Sequence, residues 1–331
     1  MSAYKRLKLV NVFIALIICG LLMIFSSWIN FRFENIDSDY TKINLAVTIS
    51  QIVIYGIPIL IYYTFNDYLE KKYFDLKEPH KKSKISTVNL KNILLILIIS
   101  VLTVIMMYFF RNFVFNLVYG ISHAAPVGFL EEYNDFNATD LSVQQFIISL
   151  ISLVIVTSIM EEMFYRGILV KSYDYLPAVL VIGISTISFA FAHHSLMQIV
   201  LVVPFGFVSA LILLKTNNII FSIIVHASAN IVALGNVRID KMFFSVDYPI
   251  NYNEPMIALT NSFFCFTVLV AVIVMTLLCI NIIAASGIEK ETLEKENRIK
   301  KNKKSSLLEW ITYGTACFIF CLILIKVNMV H

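Results

Sequence analysis

Long apolar stretches are the feature that most constrains how this chain can fold. Hydrophobic residues make up 59% of the 331 positions and charged residues only 15%, against roughly 45–50% and about 25% in soluble domains. A run of about 18 or more apolar residues can cross a bilayer as a helix. The composition therefore excludes an ordinary soluble enzyme and predicts an all-α, polytopic transmembrane helical bundle.

The apolar pattern predicts nine transmembrane spans, and a count of eight also fits it. We divide the chain into an N-terminal part with spans 1–3 (1–145), a core with spans 4–7 (146–237) and a C-terminal part with two spans and a basic loop (238–331). The first run is expected to be retained, because no small-residue cleavage site follows it. The spans lie near residues 9–29, 44–65, 93–115, 146–170, 176–196, 197–214, 219–237, 259–284 and 307–327.

The distribution of positive charge predicts the orientation in the membrane. Lys and Arg concentrate at the N-terminus and in the segments 67–91 and 288–304, whereas the alternate segments are acidic or mixed. Cytoplasmic loops carry an excess of Lys and Arg, so we expect a cytoplasmic N-terminus. The basic residues occur in short blocks between spans, which predicts the lipid bilayer as a partner and no nucleic acid. The richness in Lys, Ile and Asn favours a bacterial cell membrane, and no pattern defines the oligomeric state.

Three groups of polar residues lie within the predicted spans. An ionisable side chain at bilayer depth costs from about 2.5 to more than 10 kcal/mol, and is therefore a candidate for function. The groups come from three separate spans, the fourth, fifth and seventh. In chain order they are Glu161, Glu162 and Arg166; His193 and His194; and His226 and Asn230.

Helical spacing separates the roles of the two adjacent carboxylates. Glu162 and Arg166 are four residues apart with the acid first, the order that favours an ion pair on one helix face. Glu161 is displaced from Glu162 by about 100° around the helix, so we expect it to point elsewhere and to stay free for chemistry. A carboxylate in such a site can act as a general base that activates a water molecule.

The imidazole and amide groups supply the other parts of a hydrolytic site. His193 can orient the water, and Phe189 lies one turn before it. His226 and Asn230 are four residues apart and can together donate hydrogen bonds to the oxyanion that forms when water attacks a carbonyl. The set of residues is therefore typical of peptide-bond hydrolysis inside a membrane.

The ordered patterns EExxxR, FxxxH and HxxxN resemble those of the CPBP superfamily. This superfamily comprises the type II CAAX prenyl endopeptidases and their bacterial relatives, also called Abi proteins. The resemblance covers about residues 146–237. It implies a glutamate-dependent intramembrane endopeptidase that cleaves a membrane-associated peptide or protein, as in peptide processing. Its catalytic residues would be Glu161, His193, His226 and Asn230, supported by Glu162, Arg166 and Phe189.

Alternatives to this hypothesis come from other classes of protein. Glu161, His193 and His226 could form a two-His, one-carboxylate zinc shell of a metalloprotease-like enzyme; otherwise we expect no cofactor. The chain could instead be a non-catalytic scaffold or a bacteriocin-immunity protein of the same fold. A transporter with a buried proton relay is a third alternative, although the sequence contains no inverted repeat. The motifs HExxH, GxSG and GxGD of other membrane proteases are absent from the sequence.

Depth in the membrane presents a conflict for the proposed site. In straight helices with a rise of about 1.5 Å per residue, Glu161 would lie about 27 Å from residue 143. His193 would lie about 25 Å from the cytoplasmic start of its own span. The two side chains would then lie at different depths, so the site requires helix tilt, a later entry of the fourth span near residue 150, or a break near Pro177.

Overall fold

The computed structural model describes residues 3–34, 40–72, 86, 88–123, 142–173, 176–193, 195–234 and 255–285. Over these residues the chain is helical and contains no strand, so the predicted all-α fold is confirmed. The helices are α1 (Ala3–Glu34), α2 (Tyr40–Gln51, Ile52–Gly56 and Ile57–Lys72), α3 (Leu90–Ser122), α4 (Val143–Ser149, Leu150–Val156, Thr157–Glu162 and Met163–Val170), α5 (Ala178–Ala190), α6 (Leu196–Thr216), α7 (Ile219–Leu234) and α8 (Pro255–Ala285).

Within the described part of the chain, five helical stretches are long and apolar enough to cross a membrane, which makes the chain an integral membrane protein. They are Leu45–Leu69, Leu90–Ser122, Val143–Val170, Leu196–Thr216 and Pro255–Ala285. Three further apolar helices are shorter: Val10–Ser26, Ala178–Ala190 and Ile219–Leu234. The predicted span at 307–327 lies outside the described residues, so the count of nine and the cytoplasmic N-terminus stay predictions.

Helix α5 is shorter than the predicted span 176–196. It begins after Pro177 and ends at Ala190, which gives 13 residues and a length of about 20 Å. The chain then turns, and α6 begins after Ser195, whose hydroxyl accepts a hydrogen bond from the backbone N–H of Gln198 at 3.1 Å. His193, which belongs to the second polar group, therefore lies in this turn. Non-helical backbone at membrane depth is tolerated where protein surrounds it or where it lines a cavity.

Helix α4 packs against four other helices. It contacts α2, α5, α6 and α7, while α3 packs against α6, α7 and α8. Every residue from Phe164 to Val170 in its last segment is buried. The Tyr165 ring packs edge-on against Phe189 of α5, with 5.3 Å between centroids, and lies 5.8 Å from the Tyr55 ring of α2. The helix that carries the carboxylates is therefore held on several sides.

One end of the bundle is joined by hydrogen bonds between distant parts of the chain. The backbone N–H of Ser86, just before α3, donates to the Thr216 carbonyl at 3.1 Å. Asn218 Nδ2, in the turn between α6 and α7, donates to the Ser86 carbonyl at 2.9 Å. These two bonds fix the start of α3 beside the α6–α7 turn.

Candidate active site

The two glutamates lie on a six-residue α-helical segment between two π-helical segments. Thr157–Glu162 is preceded by the π-helical Leu150–Val156 and followed by the π-helical Met163–Val170. π-helical turns are rare and often occur at functional sites. Because such turns contain more residues than α-turns, they change which side chains face a given neighbour. The 3.6-residue period assumed from the sequence therefore does not hold along the whole of α4.

Glu162 is the centre of a fully buried polar cluster. Its Oε1 atom lies 3.0 Å from Arg166 Nη1 and 3.1 Å from His226 Nδ1. Its Oε2 atom accepts a hydrogen bond from the Ser209 hydroxyl at 2.7 Å. Neither Glu162 nor Arg166 has any exposed side-chain surface. The ion pair expected from the four-residue spacing is thus present, and residues of two further helices complete it.

Aromatic rings enclose the guanidinium of Arg166. Its Cζ atom lies 4.7 Å from the centroid of the Phe189 ring and 5.2 Å from that of Phe205, within the range of cation–π attraction. Its Nη2 atom donates to the carbonyl of Gly206 at 3.3 Å. Arg166 is therefore fixed from α5 and α6 as well as by Glu162.

His226 lies between the two carboxylates. While Nδ1 faces Glu162, Nε2 lies 3.8 Å from Oε2 of Glu161. The His226 ring also packs against Phe205 at 4.6 Å and Phe189 at 5.7 Å between centroids. Only 4% of His226 and 7% of Glu161 is exposed. The expectation that Glu161 points away from the ion pair holds only in part, because both acids face the same imidazole.

His193 is joined to this cluster through Phe189. It lies in the turn after α5 and is partly buried. Its Nδ1 atom lies 3.1 Å from the Phe189 carbonyl oxygen, and its ring centroid lies 5.0 Å from that of Phe189. Since a carbonyl oxygen only accepts, Nδ1 carries the proton of this bond. The neighbouring His194 lies outside the described residues.

Asn230, one helical turn after His226 on α7, contacts α4 through its side-chain amide. Its Nδ2 atom donates to the Leu153 carbonyl at 2.8 Å and to the Ser158 hydroxyl at 3.3 Å. Leu153 belongs to the first π-helical segment, so Asn230 connects α7 to the irregular part of α4. The structure therefore brings Glu161, Glu162, Arg166, Phe189 and His226 into direct contact, with His193 and Asn230 at the periphery of this group.

A comparison with protein-family models gives a match to part of this chain. Residues 143–232 match the model described as type II CAAX prenyl endopeptidase Rce1-like. The chain carries an Rce1-like domain. This domain contains all three sequence patterns and confirms the resemblance on which the sequence hypothesis rested. No curated protein and no solved structure matches the chain.

The Rce1-like match covers residues 143–232, and the family it describes is one of proteases, which supports a hydrolase at the level of the family. The domain begins with α4 and ends within α7. Helices α1, α2, α3 and α8 lie outside the matched segment. The division of the chain into three domains stays a prediction.

The zinc shell considered from the sequence is not assembled among the described residues. No group of three His, Cys, Asp or Glu side chains in that part of the chain is placed to hold a metal ion. Glu161 and His226 lie together, with Nδ1 of His226 directed at Glu162, and Nδ1 of His193 is directed at the Phe189 carbonyl. Metal-bound histidines commonly donate their second ring N–H to such partners, so zinc binding by Glu161, His193 and His226 stays an alternative prediction.

The sequence analysis missed the contribution of α6 to the Rce1-like site. Ser209 holds Glu162, Phe205 packs on both Arg166 and His226, and the Gly206 carbonyl accepts from Arg166. A small hydroxyl residue in an apolar span gives little signal of function in the sequence. The one available signal is spacing, since Phe205, Gly206 and Ser209 fall within five consecutive positions.

A second buried polar group occurs on α3, outside the matched segment. Arg111, Asn112 and Asn116 are buried there, and Arg111 Nη2 donates to Asn112 Oδ1 at 3.3 Å. Arg111 lies inside the predicted span 93–115, so this group could have been predicted from the sequence by the same reasoning as the other three.

Proposed function

We propose that the chain is a glutamate-dependent intramembrane endopeptidase in which Glu161 activates water. The observation that carries this proposal is the pairing of Glu161 Oε2 with His226 Nε2 across 3.8 Å. That distance is too long for a direct hydrogen bond, and a water molecule can bridge the two atoms. Among the described residues, none makes a hydrogen bond to the Glu161 carboxylate. Its oxygens are therefore available to bind and deprotonate water.

Glu162 determines which nitrogen of His226 takes part in proton transfer. The Arg166 guanidinium pairs with the Glu162 carboxylate and the Ser209 hydroxyl donates to it, which keeps this carboxylate an acceptor. Nδ1 of His226 must then carry a proton to bind Glu162, and Nε2 is the nitrogen that gains or loses one. The second ring nitrogen of a histidine is commonly set in this way by the partner of the first.

Charge balance places one mobile proton between Glu161 and His226. Two carboxylates and Arg166 leave one negative charge, which is costly in a dry interior unless it is neutralised. One proton on the Glu161–His226 pair neutralises it. When that proton is on His226, Glu161 is free to act as base and the Nε2–H of His226 is a hydrogen-bond donor.

The proposed reaction follows from this arrangement. Glu161 takes a proton from water as the water oxygen bonds to the scissile carbonyl carbon, and the carbonyl π electrons move onto the carbonyl oxygen. His226 Nε2–H donates to this oxyanion, and His193 orients the water. When the intermediate collapses, the C–N bond breaks and the proton held by Glu161 passes to the leaving nitrogen.

Asn230 is proposed as the second donor to the oxyanion. It lies one helical turn after His226 on α7. Of its two hydrogen bonds, the one to Ser158 is the longer, at 3.3 Å. The N–H of that weaker bond is the one that can turn toward substrate, while the bond to Leu153 keeps the amide in place. Two donors to an oxyanion are typical of acyl-transfer enzymes.

The proposed substrate is a membrane-associated peptide or protein, cleaved in a bacterial cell membrane. The burial of Glu161 and His226 among apolar helices supports a substrate that reaches the site from the lipid phase. The family description specifies CAAX prenyl substrates, so a peptide with a prenylated C-terminal CAAX box is the first probe. The same peptide without the prenyl group tests whether the lipid is required.

The test uses the purified full-length chain in proteoliposomes and a fluorescence-quenched, farnesylated CAAX peptide. Glu161→Gln and His226→Asn should each lower kcat by at least about 100-fold. His123→Asn is the matched control, because His123 is exposed at the end of α3 with φ 55°, a conformation that Asn tolerates. Full cleavage by folded Glu161→Gln protein would refute the proposal. A phenotype that survives Glu161→Gln in cells would favour the scaffold alternative.

A further inference from the structure

We propose that Ser209 of α6 is a positioning residue that controls the protonated nitrogen of His226 by holding Glu162. The proposal rests on the function proposed above and names a residue outside the three sequence patterns. Ser209 has no exposed surface, and its hydroxyl donates to Glu162 Oε2 at 2.7 Å. At this distance the bond to an ionised acceptor is among the stronger hydrogen bonds in proteins.

The two oxygens of Glu162 have different partners. Oε1 is shared by Arg166 and His226, at 3.0 and 3.1 Å. The hydrogen bond to Oε2 comes from Ser209. Without the hydroxyl, the carboxylate can rotate about its Cγ–Cδ bond so that Oε2 shares Arg166 with Oε1. The bond from His226 Nδ1 would then lengthen, and the imidazole would lose the contact that keeps a proton on Nδ1.

Ser209 lies within the regular part of α6, so the helical main chain positions it independently of the carboxylate. The carbonyl of Gly206, less than one turn earlier on α6, accepts from Arg166. Helix α6 therefore holds both members of the Glu162–Arg166 pair. The Ser209 carbonyl also accepts a hydrogen bond from the Ser222 hydroxyl of α7 at 3.0 Å.

The same interface contains a matched control. Ser222 is also fully buried, and its hydroxyl also bridges α6 and α7, but it binds the Ser209 carbonyl and makes no contact with Glu162. Ser209→Ala and Ser222→Ala each remove one buried hydroxyl from the same pair of helices. A general loss of packing or of a buried hydrogen bond would affect both variants alike, whereas control of Glu162 predicts an effect for Ser209→Ala alone.

The primary readout is ¹⁵N NMR of the full-length chain labelled at its six histidines, with the His226 signals assigned by His226→Asn. Ser209→Ala should shift the Nδ1 signal toward the position of an unprotonated ring nitrogen, and Ser222→Ala should leave it unchanged. Ser209→Cys, which keeps a weak donor, should give an intermediate shift. Unchanged His226 signals in Ser209→Ala, or equal shifts in Ser222→Ala, would overturn the proposal.

Cleavage of the quenched peptide provides the second readout. Ser209→Ala should lower kcat by about tenfold with KM unchanged, because one hydrogen bond to a charged group is lost, and Ser222→Ala should retain wild-type kcat. A rise in KM with constant kcat would contradict a role acting through His226. The NMR readout needs no substrate, so it stays valid if Glu161→Gln shows that the chain is not a protease.

Discussion

Neutralising the two adjacent glutamates should change the free energy of unfolding to very different extents, because only Glu162 pairs with the buried guanidinium of Arg166. Glu162→Gln removes the charge that faces Arg166 at 3.0 Å and leaves a guanidinium with no exposed surface. Removing one partner of a buried ion pair costs about 3–5 kcal/mol. Glu161→Gln loses only a 3.8 Å contact with His226 and no hydrogen bond, so its free energy of unfolding should change by less than about 1 kcal/mol.

The assay is denaturant-induced unfolding of the detergent-solubilised chain, measured for the two variants side by side. We expect Glu161→Gln to unfold with the wild type and Glu162→Gln to unfold at clearly lower denaturant. The double variant Glu162→Gln with Arg166→Met removes both charges and should recover most of the lost stability, since apolar replacements of buried ion pairs are often neutral. Equal stability of the two single variants would refute the assignment of Glu162 as the structural carboxylate.

Three further results follow from the structure. Gly206→Ala would place a Cβ atom 3.2 Å from Cα and Cγ2 of Thr186; the forced separation of α5 and α6 should cost about 1–3 kcal/mol, whereas Gly183→Ala, which meets nothing within 4 Å, should unfold like the wild type. Asn230→Ala should lower kcat by about 100-fold or more as an oxyanion donor is lost, and Ser158→Ala by less than about threefold; equal losses in peptide cleavage would contradict the donor role. Prolonged treatment with a zinc chelator should leave cleavage unchanged, and elemental analysis showing stoichiometric zinc with loss of activity on its removal would instead support the metalloprotease alternative.

The apolar runs were sufficient to predict where most helices lie, because a helix in lipid must be continuous and uncharged over about 20 residues. The same reasoning failed at α5, since an apolar composition does not show where a helix ends within a protein interior. The turn that contains His193 begins with the apolar residues Phe191 and Ala192, so composition alone does not separate its start from the helix before it. A Pro at 177 did mark the start of α5 correctly.

Local spacing predicted the Glu162–Arg166 pair but not its partners on other helices. A helical period specifies which residues share a face, and it contains no information on which helix packs against that face. The depth conflict arose because both helices were treated as straight and regular. In the structure the Phe189 ring lies 4.7 Å from Arg166 and 5.7 Å from His226, so the first two patterns meet at one level. The π-helical segments of α4 had no signature in the sequence.

The hydrogen bonds at Ser86 imply that the smallest stable fragment is longer than the matched segment. A chain cut at residues 143 and 232 would keep Asn218 but lose the Ser86 carbonyl to which its amide donates at 2.9 Å. It would also lose α3, which covers α6 and α7. Without α3, the surfaces of α6 and α7 that it covers would be exposed to lipid. Transfer of the matched segment into another protein therefore requires the preceding helix as well.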